Sequence, residues 1–303
     1  MKRHPILAVL VIFLVIALVL GTTLVVALRI LAPSKSMFFS EKIGVITING
    51  IISSSQTITS ELVKFKNDES ISAIVLRINS PGGGIGPTQE IHREIQKTVL
   101  AKKVIVSMGA VAASGGYYVA AAADRIVANP GTITGSIGVL MEFVRMEDLL
   151  NKIGLDLEIL KSGEFKDIGS PDRKLTARDR EILNTLIMEL QKQFVNAIAR
   201  GRNLSVGTVE KIADGRIFSG ARAKELGLVD SLGNFQDAVE LAKEMAGIKG
   251  DVTLVHSKKG RSRLLDLLIE TGVRSAADLL RNLECRIEYR WIGFLGQNIR
   301  ESY

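Results

Sequence analysis

Ser114 lies in the run Gly109-Ala-Val-Ala-Ala-Ser-Gly-Gly-Tyr-Tyr118, where the strand-like segment Lys103 to Met108 gives way to an alanine-rich, helix-like one. The 303-residue chain has only three histidines, His4, His92 and His256. A Ser-His-Asp mechanism needs an imidazole within hydrogen-bond reach of the hydroxyl and a third group to orient it. His4 precedes an apolar segment, His92 sits among charges on an expected helix, and His256 falls near the start of a basic tail. Each therefore reads as a solvated residue. A serine nucleophile here needs another base, and lysine is the usual substitute. At a helix start the Ser114 hydroxyl would be exposed, the Gly115 amide could assist an oxyanion, and the positive helix end would favour negative charge. The bland alternative is a helix N-cap. Ala112 stands where a G-x-S-x-G elbow has its first glycine, which argues against an α/β-hydrolase.

Two further constellations could serve such a serine. Asn79-Ser-Pro-Gly-Gly-Gly84 follows the apolar strand Ile74 to Ile78 and precedes a helix expected from about Pro87. Its glycines allow positive φ and close approach of a substrate, and their amides could bind a developing oxyanion. No Gly-Lys-Ser/Thr follows, so a phosphate loop is not indicated. The loop Lys161-Ser-Gly-Glu-Phe-Lys-Asp-Ile-Gly-Ser170 follows the strand-like Leu157 to Leu160 and offers two lysines, Lys161 and Lys166. A general-base lysine must be neutral. Its pKa has to fall from ~10.4 toward 7, about 3 units or roughly 4 to 5 kcal/mol, so burial against apolar walls is expected.

The elements that would position these groups alternate along the chain. Ile43 to Ile48, Ala73 to Ile78, Val104 to Met108 and Arg125 to Val127 read as strands, and their near-continuous apolar character between helix-like segments predicts a buried, mostly parallel α/β sheet. The clearest helix is Thr176 to Arg200, with Thr176 as N-cap ahead of Asp179, Gly201 as stop, and Ile182, Leu186, Leu190, Phe194 and Ile198 on one stripe. Val206 to Ala213, Arg216 to Phe218, Ala221 to Leu226 and Gln236 to Met245 read as shorter elements, and Arg263 to Asn282 as an amphipathic helix.

At the front, Ile6 to Leu28 holds 23 residues without a charge. At ~1.5 Å per residue this is roughly 35 Å of helix, enough to cross a ~30 Å hydrocarbon core. It is too long for the apolar core of a signal peptide, and no small-x-small cleavage pattern follows, so an uncleaved anchor is expected. Lys2 and Arg3 favour a cytoplasmic N-terminus, which would put the body outside the cytoplasm. Cys285 is the only cysteine, which excludes an intrachain disulfide. The net charge of +7 is biased to the two ends and has few aromatics interleaved, so nucleic-acid binding is not expected. The chain thus divides into 1–31, a cytoplasmic stub and transmembrane anchor; 32–42, a linker; 43–257, a catalytic domain; and 258–303, a basic C-terminal tail.

Taken together, Asn79 to Gly84, Ser114-Gly-Gly-Tyr-Tyr118, Thr134-Gly-Ser-Ile-Gly138, Lys161 to Ser170 and Gly215-Arg-Ile-Phe-Ser-Gly220 resemble the signal peptide peptidase A family, peptidase family S49, over roughly residues 41 to 250. The size, with one N-terminal anchor, resembles the short single-repeat form. The resemblance implies a Clp protease/crotonase-like α/β fold of ββα spiral units, preceded by one transmembrane helix. It implies a Ser-Lys endopeptidase that degrades cleaved signal peptides and other apolar peptides through an acyl-enzyme, without metal or cofactor. Ser114 corresponds to the nucleophile and Lys166 to the general base. Gly83 and Gly115 correspond to oxyanion donors, Gly82 and Gly84 being neighbours able to replace Gly83, and Ser136 to a hydroxyl that orients the lysine. The family also forms homo-oligomeric rings, so that Lys166 could serve the Ser114 of an adjacent chain. The alternatives are a stomatin-partnered membrane serine protease of the same fold, a crotonase-like acyl-CoA enzyme, or a non-enzymatic scaffold.

Overall fold

The computed structural model describes residues 14–24, 41–257 and 286–290. The chain divides into two units, Met1–Glu41 and Lys42–Tyr303. In the first, residues 14–24 are helical, with Thr22 and Thr23 hydroxyls donating to backbone carbonyls one turn back. No helix among the described residues is long and apolar enough to cross a membrane. The rest of the expected span Ile6 to Leu28 lies outside the described residues, as do His4 and the helix expected over Arg263 to Asn282.

The second unit is built on a parallel sheet. Its elements in chain order are β1 (Lys42–Asn49), α1 (Gln56–Asn67), β2 (Ile71–Ser80), β3 (Gly82–Gly84), α2 (Ile85–Thr98), β4 (Lys103–Ala113), α3 (Gly115–Ala120), β5 (Arg125–Ala128), β6 (Ile133–Gly135), β7 (Leu140–Glu142), α4 (Glu147–Lys152), α5 (Ala177–Gly201), α6 (Val206–Glu210), β8 (Ile217–Ser219), α7 (Gly220–Glu225), β9 (Ser231–Leu232), α8 (Phe235–Ala246), β10 (Thr253–His256) and β11 (Arg286–Arg290). The strand order is β10-β1-β2-β4-β5-β9, all parallel, with β6 parallel to the far half of β4 and β8 antiparallel to β6.

The continuous apolar runs are explained by a period of two. Ile74, Leu76 and Ile78 on β2 and Val104, Val106 and Met108 on β4 face a large core with α1, α2, α3 and α5. Ala73 and Val75 on β2, Ile105 on β4 and Val127 on β5 face the opposite side, where Ala238, Val239 and Ala242 of α8 cover them. A strand buried on both faces has no polar side to alternate with.

The long helix α5 starts where its sequence says. Thr176 accepts from the Asp179 amide and the Asp179 carboxylate accepts from the Thr176 amide, a reciprocal capping box. Of its apolar stripe, Phe194 and Ile198 are buried, whereas Ile182 is exposed because the first half of the helix runs beyond the core. The strand expected at Leu157 to Leu160 is absent. Leu155, Leu157, Ile159 and Leu160 alternate with charges as a half-buried strand would, but no partner strand among the described residues lies beside them, and all four are exposed. The tail contributes an element as well: β11 lies between β3 and β7 in a second, three-stranded sheet and is antiparallel to both.

Candidate active site

The carboxyl ends of the neighbouring strands β2 and β4 carry the two glycine-rich loops, the place where an open parallel sheet binds its ligands. β4 continues to Ala113, five residues beyond the expected end, and α3 is only six residues long. Between them Ser114 takes φ 53° and ψ −118°, a backbone conformation that costs a non-glycine residue roughly 1 to 3 kcal/mol. The conformation is held from both sides. Its amide donates to the Gly135 carbonyl (2.8 Å), and its carbonyl accepts from the Tyr118 amide (2.8 Å). Its hydroxyl caps no amide of α3, so the N-cap reading does not account for it. Ser114 is buried rather than exposed as expected.

The facing loop packs against this elbow. A methyl group on Gly82, at φ +103°, would fall 2.7 Å from the Gly115 amide nitrogen. One on Gly116 would fall 2.8 Å from the Ser80 carbonyl oxygen, so the approach needs glycine on both sides. Within the loop the Gly82 amide donates to Ser80 Oγ (3.1 Å) and the Gly84 amide to the Ile52 carbonyl (2.9 Å). Gly83 is the one whose amide the loop does not use; it pairs in register with Tyr289 of β11. Thr88, which sequence reasoning missed, places its buried Oγ1 3.0 Å from where a Gly115 methyl would stand, with no hydrogen-bond partner among the described residues. Nothing in its local sequence marks it, because its position beside Gly115 comes from the packing of α2 on α3.

Ser136 follows β6 and also has positive φ, 49°. Its amide donates to the Arg216 carbonyl (2.8 Å), which ties the Thr134 to Gly138 run to the Gly215 to Gly220 run. Ser136 lines a cavity of about 530 Å³ with Leu140, Ile187, Gln191, Gly215 and Arg290.

The lysine loop is organised by Asp167. Lys161 Nζ donates to both its oxygens (2.9 Å), and Arg173 donates through Nε (2.9 Å) and Nη2 (2.8 Å). Arg173 Nη1 also reaches Asp179 (2.6 Å), which fastens the loop to the start of α5. These donors, Arg173 first, hold the Asp167 carboxyl well below the usual carboxylate range and that of Asp179 down to about 2. Lys161 is therefore committed to an ion pair, whereas the Lys166 ammonium has no partner among the described residues. Lys166 is exposed, so the apolar burial expected of a base is not supplied by the single chain, and no hydrogen bond joins it to Ser114. The apolar side chains of the segment before it, Leu155, Leu157, Ile159 and Leu160, are exposed as well.

His92 corrects an expectation. It is buried, with Nδ1 2.8 Å from the Tyr118 carbonyl and its ring 4.6 Å from the Tyr118 ring, and burial pushes its pKa below the ordinary value. Of the charges beside it in sequence, Glu90 and Arg93 are exposed, and Glu94 is buried against Lys66 of α1. His256 ends β10 and is exposed. Among the described residues no group of three or more His, Cys, Asp or Glu side chains is placed to hold a metal ion.

A serine at a strained strand-to-helix elbow, beside a glycine loop at the carboxyl ends of a parallel sheet, defines a serine peptidase on a Clp-protease-like α/β scaffold. Comparison with known proteins agrees. A model described as Clp protease matches residues 33–132, and one described as Peptidase family S49 matches residues 97–249. A protein of Synechocystis sp. named as a protease is 42% identical over 70% of this chain and 76% of its own length. One of Enterococcus faecium named as signal peptide peptidase SppA is 34% identical over 72% and 67%. The chloroplastic serine protease SPPA of Arabidopsis thaliana is 35% identical over 68% of this chain and 31% of its own length. The chain belongs to peptidase family S49, the signal peptide peptidase A family.

Proposed function

We propose that the chain is a membrane-anchored endopeptidase in which Ser114 is the nucleophile and Lys166 the general base, and that it hydrolyses apolar peptides such as cleaved signal peptides. The observation that carries this reading is the strained, uncapped Ser114 beside the Gly115 amide. Neutral Lys166 Nζ takes the Ser114 Oγ proton as the oxygen attacks the peptide carbonyl. The Gly83 and Gly115 amides hold the oxyanion, and Thr88 Oγ1 stands beside Gly115. The tetrahedral adduct collapses, the leaving amine takes the proton from Lys166, and an ester to Ser114 remains. Water, deprotonated by Lys166, then releases the acid and restores the serine.

Lysine in this role needs desolvation worth roughly 4 to 5 kcal/mol. An adjacent copy of the chain supplies it: exposed Leu149, Ile153, Leu155, Leu157 and Leu160 precede the Lys166 loop and form an apolar arm that water alone does not favour. Lys166 then serves the Ser114 of that copy, with Ser136 orienting it. The name of the Enterococcus relative supports the substrate class, and the uncharged run Ile6 to Leu28 supports the anchor, with the catalytic unit outside the cytoplasm.

The test is cleavage of a fluorogenic, signal-like apolar peptide by the full chain in detergent, beside Ser114→Ala, Lys166→Ala and Lys161→Ala. Activity is expected to vanish in the first two, persist in the third, resist EDTA, and return in part when the Ser114→Ala and Lys166→Ala proteins are mixed. Full activity of Lys166→Ala would remove that lysine as the base.

A further inference from the structure

We propose that Thr88 is a catalytic residue: its hydroxyl donates to the oxyanion of the tetrahedral adduct on Ser114, beside the Gly83 and Gly115 amides, and makes this bond only once the charge has developed. The inference rests on the Ser114 reading and adds a side-chain donor to the same site.

The first observation is an unspent hydroxyl. A threonine inside a helix can turn its hydroxyl back to the carbonyl four residues earlier. Thr98, further along α2, does so to Glu94 (2.8 Å), Thr59 of α1 to Ser55 (3.0 Å) and Thr185 of α5 to Glu181 (2.9 Å). Thr88 does not. It is fully buried, and its Oγ1 has no hydrogen-bond partner among the described residues. A valine of nearly the same shape would avoid the cost of desolvating that group, so the hydroxyl stands where stability alone does not call for one.

The second observation is where that hydroxyl lies. Thr88 Oγ1 is 3.0 Å from the point at which a Gly115 side chain would begin, and the Gly82 α-carbon is 3.2 Å from the same point. Gly82 and Gly115, lacking side chains, thus leave a hollow between the loop and the elbow, and Thr88 forms part of its wall. A carbonyl oxygen fits there: that of Tyr289 lies 3.0 Å from the same point. Thr88 makes no hydrogen bond to this uncharged, planar carbonyl. When Ser114 Oγ adds to a substrate carbonyl, the C=O π pair moves onto the oxygen, the carbon becomes tetrahedral, and the oxygen shifts as it takes up negative charge. A donor that meets the oxygen only then raises kcat without tightening substrate binding. As the adduct collapses the pair returns to the carbonyl, and Thr88 keeps its proton throughout.

The test compares Thr88→Val and Thr88→Ser with the parent, each as the full chain in detergent. Two readouts are taken: hydrolysis of the fluorogenic apolar peptide, and inhibition by a boronic acid of the same peptide, whose tetrahedral adduct places a negative oxygen in the site. Thr88→Val is expected to lower kcat about 10²-fold, to leave KM within about twofold, and to weaken the boronic acid by the same factor as kcat. Its Tm should stay at or above the parental value, because no protein hydrogen bond is lost. Thr88→Ser keeps the hydroxyl and should hold kcat within about tenfold of the parent, well above the valine variant. Parental kcat in Thr88→Val, equal losses in the valine and serine variants, or a loss confined to KM would overturn the inference and leave Thr88 a packing residue. Hydrolysis that survives Ser114→Ala would instead sink the Ser114 mechanism, and the donor with it.

Discussion

Gly83→Ala tests the oxyanion assignment and the loop geometry together. A methyl on Gly83 would lie 2.3 Å from the Ile52 carbonyl oxygen and 2.6 Å from its nitrogen, both backbone atoms that cannot rotate away. To admit it, β3 must separate from Ile52 and open two hydrogen bonds, Ile52 amide to Gly82 carbonyl and Gly84 amide to Ile52 carbonyl, both 2.9 Å. At about 1 kcal/mol each, the loss is about 2 kcal/mol. For a domain of this size that lowers Tm by roughly 4 to 8 °C. The same displacement moves the Gly83 amide away from the oxyanion, which should reduce kcat by about 10²- to 10³-fold. Gly86→Ala is the control: apart from its chain neighbours and its own helix backbone, nothing lies within 4 Å of the added methyl, and in a helix alanine is favoured over glycine by roughly 0.5 to 1 kcal/mol. The assays are calorimetry and peptide hydrolysis on one set of preparations. A parental Tm in Gly83→Ala would refute the packing argument, and a lowered Tm with parental kcat would refute Gly83 as a donor.

Tyr117→Phe should cost about 1 to 2 kcal/mol in chemical denaturation and leave kcat unchanged, because the buried Leu228 carbonyl loses its 2.9 Å donor far from the reacting atoms. Ser114→Gly should be more stable than Ser114→Ala by about 1 to 3 kcal/mol, read as Tm, since glycine alone relieves φ 53°; equal stability would mean the elbow is unstrained. Burial depresses the His92 pKa, helped by the nearby Arg200 charge. The unfolded chain therefore takes up a proton near pH ~6.5 that the folded chain resists. Stability that is full above that pH should fall as the pH drops below it, and the slope between pH 7.5 and 5.5 should be shallower in His92→Phe.

The legible parts of the sequence are those in which neighbouring residues decide. The runs through Ile74 to Ile78 and Val104 to Met108 announce strands covered on both faces, and Thr176 with Asp179 announces a helix start that forms as a capping box. Ser114 before a helix was equally visible, because a turn residue between an apolar strand and an alanine-rich segment has few other places to be. What stayed hidden depends on distant partners. β4 runs on to Ala113 because β6 pairs with Val111, Ala112 and Ala113, although the glycine and alanines around Val111 carry little strand signal. Three glycines make a strand, β3, because Ile52 and β11 supply ladders on either side. Leu155 to Leu160 carry the alternation of a strand but find no ladder among the described residues. His92 is buried because α2 packs that position against the Tyr118 carbonyl and ring of α3, a contact its charged neighbours in sequence do not announce.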